Sequence, residues 1–182
     1  MNRAVFFDRD GTLIRERNYL AKIEDVLVYP GTATELARLS AEGFLLFIVS
    51  NQSGVGRGYF TLAQAEAVNA HVVDLFARQG VVFSRSYIAP EAPGTPSRGR
   101  KPSPQFLLDA QAEFDLSLAD SFMVGDKWID VQCGWNAKVK RSLLVRTGYG
   151  AQTEIDHRAE IDRVIVVDDL RRAADWILRN KA

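Results

Sequence analysis

Two acidic residues that could bind a metal ion or exchange a proton follow the first apolar run of the chain. Asp8 and Asp10 come directly after residues 4–7, and Gly11 follows them. Two carboxylates separated by one residue, on chain that leaves a strand in extended form, can point to the same side. Such a pair suits metal binding, or a nucleophile beside a general acid. An ordinary polar loop between a strand and a helix would contain the same residues, so the pair alone assigns no activity.

Two later segments offer groups that bind anions. Residues 50–58 provide a hydroxyl, side-chain amides and glycine N–H groups that can hold an oxyanion. Their glycines fit neither the dinucleotide-binding fingerprint nor the Walker A pattern. Residues 98–101 provide cations that can neutralise phosphate oxygens. Taken singly, each segment is better explained as a flexible or solvated loop.

A second pair of acids, Asp126 and Asp130, follows the short and mostly apolar run at residues 121–124. Two acids four residues apart beside a glycine suit the other half of a magnesium site, although an N-cap with a surface acid is the alternative. All four groups come after successive predicted strands, and ligands bind beyond the carboxyl ends of parallel strands. The four weak signals together therefore predict a phosphate and metal site at one edge of a sheet.

Short apolar runs alternate with helical patterns along the 182 residues. Strands are predicted at 4–7, 44–49, within 81–88, and at 121–124, 143–145 and 164–167. Helices are predicted over 34–41, over 61–80 from a capping box at Thr61, over 103–114 with Ser103 as N-cap, and over 170–178. This alternation predicts an α/β fold of three layers, Rossmann-like, with a central parallel sheet. The short intervals between strands leave little room for a cap, so residues 1–182 are expected to form one domain.

The composition narrows the class of protein. Lys plus Arg and Asp plus Glu number 23 each, so the formal net charge is zero and no global attraction to nucleic acid or to a membrane is expected. The sequence contains neither a signal peptide nor an apolar run that could cross a bilayer. Cys133 is the only cysteine, which excludes a disulfide within the chain. We therefore expect a cytoplasmic protein in a reducing compartment, without nucleic-acid or membrane partners.

The ordered motifs resemble those of the haloacid dehalogenase (HAD) superfamily of phosphohydrolases. They are Asp8-x-Asp10-Gly11-Thr12, Ser50-Asn51, Lys101-Pro102 and Gly125-Asp126-x-x-x-Asp130. The lack of room for a cap resembles the capless subgroup. Within that subgroup, residues 7–12, 50–54, 57–60, 100–102 and 124–127 are similar to the D-glycero-D-manno-heptose 1,7-bisphosphate phosphatases. The histidinol-phosphate phosphatases share most of this pattern.

The resemblance implies a Mg²⁺-dependent reaction through an aspartyl-phosphate. Asp8 would attack phosphorus, and Asp10 would protonate the leaving oxygen and then accept a proton from water. Mg²⁺ would lie among the Asp8 carboxylate, the Asp10 backbone carbonyl and Asp126. Asp130 would not bind the ion directly but would orient the residues that do.

The resemblance also implies which residues bind substrate. Ser50 and Lys101 would hold the transferring phosphoryl group. The rest of the substrate would contact Glu16, Arg17, Asn18, Tyr19, Asn51, Gln52, Ser53, Arg57, Arg100 and Lys127. Arg57 and Arg100 are candidates for a second phosphate because guanidinium forks match phosphate oxygens. The implied reaction removes the 7-phosphate of a heptose 1,7-bisphosphate, in the supply of activated heptose for lipopolysaccharide.

The sequence departs from the subgroup in two places. Its members commonly hold a structural zinc with three cysteines and a histidine, but residues 87–101 contain neither residue type. His71, expected on a helix surface, and His157 lie far away, so no zinc is predicted, and the prolines of the loop are expected to stiffen it instead. Residues 135–140 replace a smaller turn that usually contains glycine, and the sequence suggests no function for them.

Three other functions are compatible with parts of the pattern. Histidinol-phosphate phosphatase shares most of the motifs. A non-catalytic phosphate-binding regulatory module is disfavoured by the presence of both Asp8 and Asp10, because binding alone needs no general acid. A polynucleotide 3′-phosphatase is disfavoured by the zero net charge and the lack of a basic stripe. A compact domain without a cap is expected to be a monomer.

Overall fold

The structure is a computed structural model that describes residues 1–181. In this range, six strands form one sheet: β1 (Arg3–Phe7), β2 (Phe44–Asn51), β3 (Arg85–Ala89), β4 (Phe122–Gly125), β5 (Arg141–Val145) and β6 (Ile165–Val167). All neighbouring strands are parallel, in the order β3-β2-β1-β4-β5-β6. This is the doubly wound order of Rossmann-like folds, so the predicted fold class is confirmed.

In the described part of the chain, seven α-helices accompany the strands, together with three 3-10 turns at Ile23–Asp25, Leu118–Asp120 and Ile161–Arg163. The helices are α1 (Thr32–Ala41), α2 (Ser53–Gly56), α3 (Leu62–Ala77), α4 (Gln105–Phe114), α5 (Trp128–Asn136), α6 (Gly150–Asp156) and α7 (Leu170–Arg179). Among residues 1–181, no helix combines the length and the apolar character that crossing a membrane requires.

Side chains of β1 alternate between the two faces of the sheet. Val5 and Phe7 belong to a buried cluster with residues of α1, α3 and α7. Ala4 and Phe6 belong to a second cluster with residues of α4 and α5. Since successive residues of a strand point to opposite faces, a strand covered on both sides must be wholly apolar. The short apolar run at the start of the sequence is therefore the centre of a three-layer structure.

Two helix starts were predicted from capping patterns, with different outcomes. The capping box at Thr61 is present, because the Thr61 Oγ1 accepts from the N–H of Gln64 at 3.2 Å and the Thr61 N–H donates to the Gln64 Oε1 at 2.8 Å. The assignment of Ser103 as N-cap is wrong by one residue: Pro104 takes that position and α4 begins at Gln105. The Ser103 Oγ still accepts from the Gln105 N–H at 3.3 Å, since Pro104 has no N–H of its own to offer.

Helices α2, α5 and α6 were not predicted. In α5 the helical pattern is interrupted by Gly134, which lies where a Cβ atom would come within 2.1 Å of the Ser142 Oγ on β5. A glycine in a helix weakens the sequence signal, but here it allows the helix to approach the sheet. The unexplained residues 135–140 comprise the last two residues of α5 and the turn after it, in which Lys138 adopts φ 58°, the left-handed conformation that glycine adopts most easily.

The position of the site follows from the strand order. From β1 the chain moves to β2 and β3 on one side of the sheet, and from β4 it moves to β5 and β6 on the other side. The loops after β1 and β4 therefore diverge and leave a crevice at the carboxyl ends of these two neighbouring strands. Asp8 follows β1 and Asp126 follows β4, so they face each other across this crevice.

Candidate active site

Three carboxylates meet in the crevice between the loops that follow β1 and β4. Oxygen atoms of Asp8, Asp126 and Asp130 all lie within 4.8 Å of one another, and the three residues are buried. Asp8 is held at the end of β1 by its N–H, which donates to the Val124 carbonyl at 2.9 Å. The structure therefore brings together acids that lie up to 122 positions apart in the sequence.

Lys101 reaches this cluster from the loop between β3 and α4. Its buried Nζ donates to Asp8 Oδ1 at 2.7 Å and to the Val49 carbonyl at 2.6 Å, and it lies 2.6 Å from Asp130 Oδ1. The backbone of Lys101 is fixed by Asn51, whose side-chain amide accepts from its N–H at 3.0 Å and donates to its carbonyl at 3.1 Å. Asn51, predicted to contact substrate, thus has both of its amide groups bonded to the chain that carries the lysine.

The charges in the cluster favour an ionised Asp8. Burial alone would raise the pKa of Asp8, but the positive charges of Lys101 and Lys127 outweigh it and hold that pKa below its ordinary value. Burial likewise would lower the pKa of Lys101, and the charges of Asp130 and Asp8 reverse this and raise it. Asp8 is therefore a carboxylate at neutral pH, next to a cation that stays charged.

Asp126 carries a carboxylate oxygen without a partner. Burial, reinforced by the charge of Asp8, raises the pKa of Asp126 to about 8. Its Oδ2 accepts from the Tyr149 N–H at 2.8 Å, whereas its buried Oδ1 has no hydrogen-bond partner among residues 1–181. An unpaired buried carboxylate oxygen is costly, and a hard divalent cation beside Asp8 would satisfy it. The donor set therefore fits Mg²⁺.

Glycines shape the space around Asp126. A Cβ atom on Gly11 or on Gly148 would lie 2.1 or 2.2 Å from the Asp126 Oδ2, so neither position can carry a side chain without moving the carboxylate. Thr147 donates its hydroxyl to the Gly11 carbonyl at 2.6 Å, and Thr153 donates to the Asp126 carbonyl at 2.9 Å. Sequence reasoning missed residues 147–153, although they follow β5 and the same strand-end rule applies to them.

Asp10 is held by Gln52, which the sequence assigned to substrate binding, and by Arg9, which the sequence did not single out. Gln52 donates through Nε2 to Asp10 Oδ2 at 2.9 Å and to Ser50 Oγ at 2.7 Å. Arg9, which is 0% exposed, donates through Nε to Asp10 Oδ2 at 3.0 Å. A charged residue between two acids was the available signal for Arg9, but its burial depends on contacts that the sequence does not show.

A cleft of about 300 Å³ opens above these groups. Eight of the ten predicted substrate-binding residues line it: Glu16, Arg17, Asn18, Tyr19, Asn51, Gln52, Ser53 and Lys127. Arg57 and Arg100 are not among the lining residues. The lining also includes Tyr149 and Ile129, which were not predicted.

Arg57 and Arg100 lie outside the lining of the cleft, and their charges influence each other. Burial lowers the pKa of Arg100, and the positive charge of Arg57 lowers it further. The Arg100 Nη1 donates to the Glu91 carbonyl at 3.0 Å. The positive charges of these two residues thus act on each other, and their assignment to a second phosphate stays a prediction.

Residues 16–19 form one side of the cleft, here called the cleft wall, and three contacts hold it. Lys127 Nζ donates to Glu16 Oε2 at 2.9 Å, and the Tyr149 hydroxyl donates to Asn18 Oδ1 at 2.8 Å. Tyr19 packs edge-on against Tyr59 with ring centroids 4.6 Å apart, and it has a φ of 57°. A positive φ in a bulky residue is strained and is kept only where the surroundings impose it. The cleft wall is therefore held in one defined position.

The loop predicted to lack zinc is held by side chains. The Ser97 hydroxyl donates to Glu91 Oε2 at 2.7 Å, and Arg98 Nη2 donates to Asp109 Oδ1 of α4 at 2.7 Å. The loop packs tightly on α2, since a Cβ atom on Gly56 would lie 2.4 Å from the Ala92 nitrogen. These contacts give the loop a fixed course up to Lys101.

Comparisons with known proteins agree with this geometry. A family model described as HAD-hydrolase-like matches residues 99–173. The D-glycero-beta-D-manno-heptose-1,7-bisphosphate 7-phosphatase of Helicobacter pylori is 37% identical over 79% of this chain and 84% of its own. The D-glycero-D-manno-heptose-1,7-bisphosphate 7-phosphatase of Thermosynechococcus vestitus is 33% identical over 98% of this chain and 97% of its own.

A solved structure shares the whole fold. The D,D-heptose 1,7-bisphosphate phosphatase of B. bronchiseptica, complexed with magnesium and phosphate, superposes with a TM-score of 0.88 at 27% identity, over 98% of this chain and 99% of that one. The similarity in sequence and the similarity in structure each span almost the full chain. The chain therefore belongs to the HAD-like phosphatase family of the D-glycero-D-manno-heptose-1,7-bisphosphate 7-phosphatases.

Proposed function

We propose that this chain is a Mg²⁺-dependent phosphatase that removes the 7-phosphate of D-glycero-D-manno-heptose 1,7-bisphosphate through an aspartyl-phosphate. One observation carries the proposal: Asp8 is held as a carboxylate by Lys101 at 2.7 Å, beside an unpartnered oxygen of Asp126. The first residue supplies a nucleophile, and the second supplies a carboxylate oxygen that can bind a metal ion. The proposed substrate is the one after which the related 7-phosphatases are named.

The charges explain how an anionic nucleophile can approach an anionic substrate. Phosphate monoesters are hydrolysed extremely slowly in water, and catalysis depends on neutralising charge and on positioning. Lys101, oriented by Asp130, and Lys127 place positive charge around the position that the phosphoryl group would occupy. Mg²⁺, held by the carboxylates of Asp8 and Asp126 and by the backbone carbonyl of Asp10, would add the remaining positive charge when bound.

The proposed reaction has two steps. The Asp8 carboxylate forms a bond to phosphorus while the bond to the sugar oxygen breaks, and Asp10 gives its proton to that oxygen. Water then attacks the phosphorus of the aspartyl-phosphate, Asp10 takes its proton, and Asp8 is released as a carboxylate with free phosphate. Ser50, which already accepts a hydrogen bond from Gln52, would donate a hydrogen bond from its hydroxyl to the phosphoryl group.

The cleft favours a sugar phosphate over a larger ligand. Its volume of about 300 Å³ lies at the lower end for small-molecule sites. Exposed rings of Tyr19 and Tyr149 border it and offer flat faces for the carbon-bound hydrogens of a sugar. Two adjacent guanidinium groups repel each other, so an anion between Arg57 and Arg100 would stabilise both, as the 1-phosphate of the bisphosphate would do.

The remaining parts of the proposal concern setting and assembly. We place the protein in the cytoplasm, in the supply of activated heptose, as a monomer of one domain without a cap and without zinc. The proposed absence of zinc is supported by residues 87–101, which contain neither cysteine nor histidine, and by Cys133, the single cysteine of the sequence, which is buried. Gel filtration and metal analysis of the purified protein test the monomer and the absence of zinc.

Phosphate release by the purified protein tests the function. Both anomers of the heptose 1,7-bisphosphate, other sugar phosphates and histidinol phosphate are compared with Mg²⁺ and with EDTA. We expect the bisphosphate to be preferred, EDTA to abolish release, and Asp8→Asn to lower kcat at least about 10³-fold. A clear preference for histidinol phosphate would instead assign the protein to histidine biosynthesis. If Asp8 takes up no beryllofluoride although the protein still binds the heptose bisphosphate, the chain would be a non-catalytic phosphate-binding module.

A further inference from the structure

The two oxygens of the Asp10 carboxylate have different surroundings. Oδ2 accepts from Arg9 Nε at 3.0 Å and from Gln52 Nε2 at 2.9 Å, and Arg9 Nη2 lies 3.0 Å from it. Oδ1 accepts one longer hydrogen bond, from Arg9 Nη2 at 3.3 Å. A carboxylate oxygen surrounded by donors has no lone pair directed away from them, so a proton is more easily carried by the other oxygen.

Arg9 is suited to fix this orientation. Its side chain is fully buried, and Asp10 is the carboxylate with which it pairs among residues 1–181. A guanidinium group cannot release its proton, and a buried one needs its counter-ion, so leaving the pair would be strongly unfavourable. The planar fork also restricts rotation of the carboxylate, because two of its nitrogens face the same group.

Gln52 connects Asp10 to the next strand. Its Nε2 has two hydrogens, and both are used: one by Asp10 Oδ2 and one by Ser50 Oγ, at 2.9 and 2.7 Å. Because both hydrogens are already donated, the amide nitrogen of Gln52 has none left for a substrate, and the side chain is only 6% exposed. The side chain therefore sets the distance between the acid after β1 and the hydroxyl of β2.

We propose that Arg9 and Gln52 are positioning residues that occupy Asp10 Oδ2 and so make Oδ1 the oxygen through which Asp10 exchanges its proton. The inference rests on the proposed function. In the first step the bond between Asp8 and phosphorus forms, the bond from phosphorus to the sugar oxygen breaks, and the proton on Asp10 Oδ1 moves to that oxygen. Gln52 thereby acts on the reaction through Asp10 rather than on the substrate.

The dependence of the rate on the leaving group tests this role. The 7-phosphate of a heptose leaves as an alkoxide and needs the proton, whereas the phenolate of 4-nitrophenyl phosphate hardly needs it. For Gln52→Leu we expect kcat on the heptose bisphosphate to fall about 10- to 100-fold, within the range of general acid catalysis. We expect kcat on 4-nitrophenyl phosphate to fall less than about 3-fold. Acetyl phosphate, which loses a carboxylate, replaces the aryl ester if its turnover is too slow to measure.

Other outcomes contradict the proposal. An equal loss of kcat on both substrates would indicate general structural damage, and a raised KM for the sugar with unchanged kcat would indicate a substrate contact. In the Asp10→Asn background, Gln52→Leu is expected to have no further effect, because the group that it positions is already inactive; additive losses would overturn the proposal. If the unaltered protein releases phosphate from none of these substrates, the proposed function fails instead.

Two further variants complete the test. Arg9→Lys keeps the buried positive charge but removes the fork, and we expect the same split between leaving groups as for Gln52→Leu. If Arg9→Lys does not fold, which thermal unfolding shows, the result for Gln52→Leu decides alone. Gln79→Leu is the matched control, because the Gln79 side chain is exposed and bonds to the Leu75 carbonyl outside the cleft. It is expected to leave both rates unchanged.

Discussion

Lys101 and Asp8 form a buried ion pair, with Nζ and Oδ1 separated by 2.7 Å and the two residues by 93 positions in the chain. The same nitrogen lies 2.6 Å from Asp130 Oδ1. One buried cation is therefore shared by two buried carboxylates, and Asn51 fixes its backbone. Nucleophile, cation and the acid behind them form one electrostatic unit, so a change to any one of them affects the others.

Removal of the Lys101 charge is expected to weaken both fold and activity. In Lys101→Met the two carboxylates at 2.7 and 2.6 Å lose their shared counter-ion. Breaking a buried pair by removing one partner costs about 3–5 kcal/mol in the free energy of unfolding. We expect a loss of this size in urea unfolding at pH 7.5, together with the loss of phosphate release.

The loss of stability has a defined pH dependence. Because Lys101 holds the pKa of Asp8 below its ordinary value, the ion pair stabilises the fold above that ordinary value and ceases to do so as Asp8 takes up a proton. The difference between Lys101→Met and the unaltered protein should therefore shrink as the pH falls below about 4. The matched control is Lys22→Met, an exposed lysine, which should leave stability unchanged. A difference that stays constant with pH would contradict the assignment.

Mg²⁺ should stabilise the protein more at high pH than at low pH. Burial raises the pKa of Asp126 to about 8, above the ordinary value of an aspartate, so the folded protein binds more protons than the unfolded chain between these two values. Without metal, stability then falls as the pH rises towards 8, because the unfolded state loses its proton first. A bound cation replaces the proton and removes this loss.

Thermal unfolding with and without Mg²⁺ measures this effect. We expect the rise in Tm caused by Mg²⁺ to be larger at pH 8 than at pH 5.5, and to disappear in Asp126→Asn. The variant also loses the ionisable group, so its metal-free stability should depend less on pH over this interval. An equal rise in Tm at both pH values would show that the cation binds elsewhere.

Tyr59 is expected to influence substrate binding through the cleft wall. Its ring packs edge-on against Tyr19 at 4.6 Å, and it is not itself among the residues that line the cleft. An aromatic pair contributes about 0.5–1.5 kcal/mol beyond the area it buries, which corresponds to about 2- to 10-fold in an equilibrium constant. Tyr59→Ala should raise KM for the bisphosphate by about this factor with kcat unchanged. Tyr59→Phe keeps the ring and should leave KM unchanged.

The sequence predicted the elements that follow simple periodic rules. Five strands overlap the apolar runs that indicated them, whereas β3 begins after the apolar residues 81–83 and extends one residue beyond the predicted range of 81–88. The acids after β1 and β4 lie in the crevice that the strand order predicts. These predictions succeeded because a strand buried on both faces must be apolar and because strand ends in a parallel sheet meet at one edge. Neither condition needs any knowledge of side-chain contacts.

The roles that the sequence did not predict depend on contacts between distant parts of the chain. Tyr149 enters the site because its N–H meets Asp126 and its hydroxyl meets Asn18, 131 positions away. Asn51 was expected to contact substrate, yet its amide is bonded to the backbone of Lys101, 50 positions away. Loop conformation decides both cases, and the residue types alone allow either role.

Gly11 offers a test that separates the space around Asp126 from backbone strain. Gly11 has φ 87° and Gly43 has φ 85°, so an alanine at either position adopts an unfavourable backbone conformation. This costs about 1–2 kcal/mol for a residue with a side chain. At Gly43 no atom lies within 4 Å of the added Cβ, whereas at Gly11 the Cβ would lie 2.1 Å from Asp126 Oδ2.

Gly11→Ala should lose at least as much stability as Gly43→Ala, and the two variants should differ in their response to metal. In Gly11→Ala the Asp126 carboxylate, a proposed metal ligand, must move away from the Cβ atom. Loss of a group that only orients a ligand already costs about 10- to 100-fold in metal affinity, so displacing the ligand itself should cost at least as much. We expect the Mg²⁺ concentration that gives half-maximal phosphate release to rise at least about 10-fold in Gly11→Ala and to stay unchanged in Gly43→Ala. Equal Mg²⁺ dependence in the two variants would mean that the Asp126 carboxylate takes no part in holding the cation.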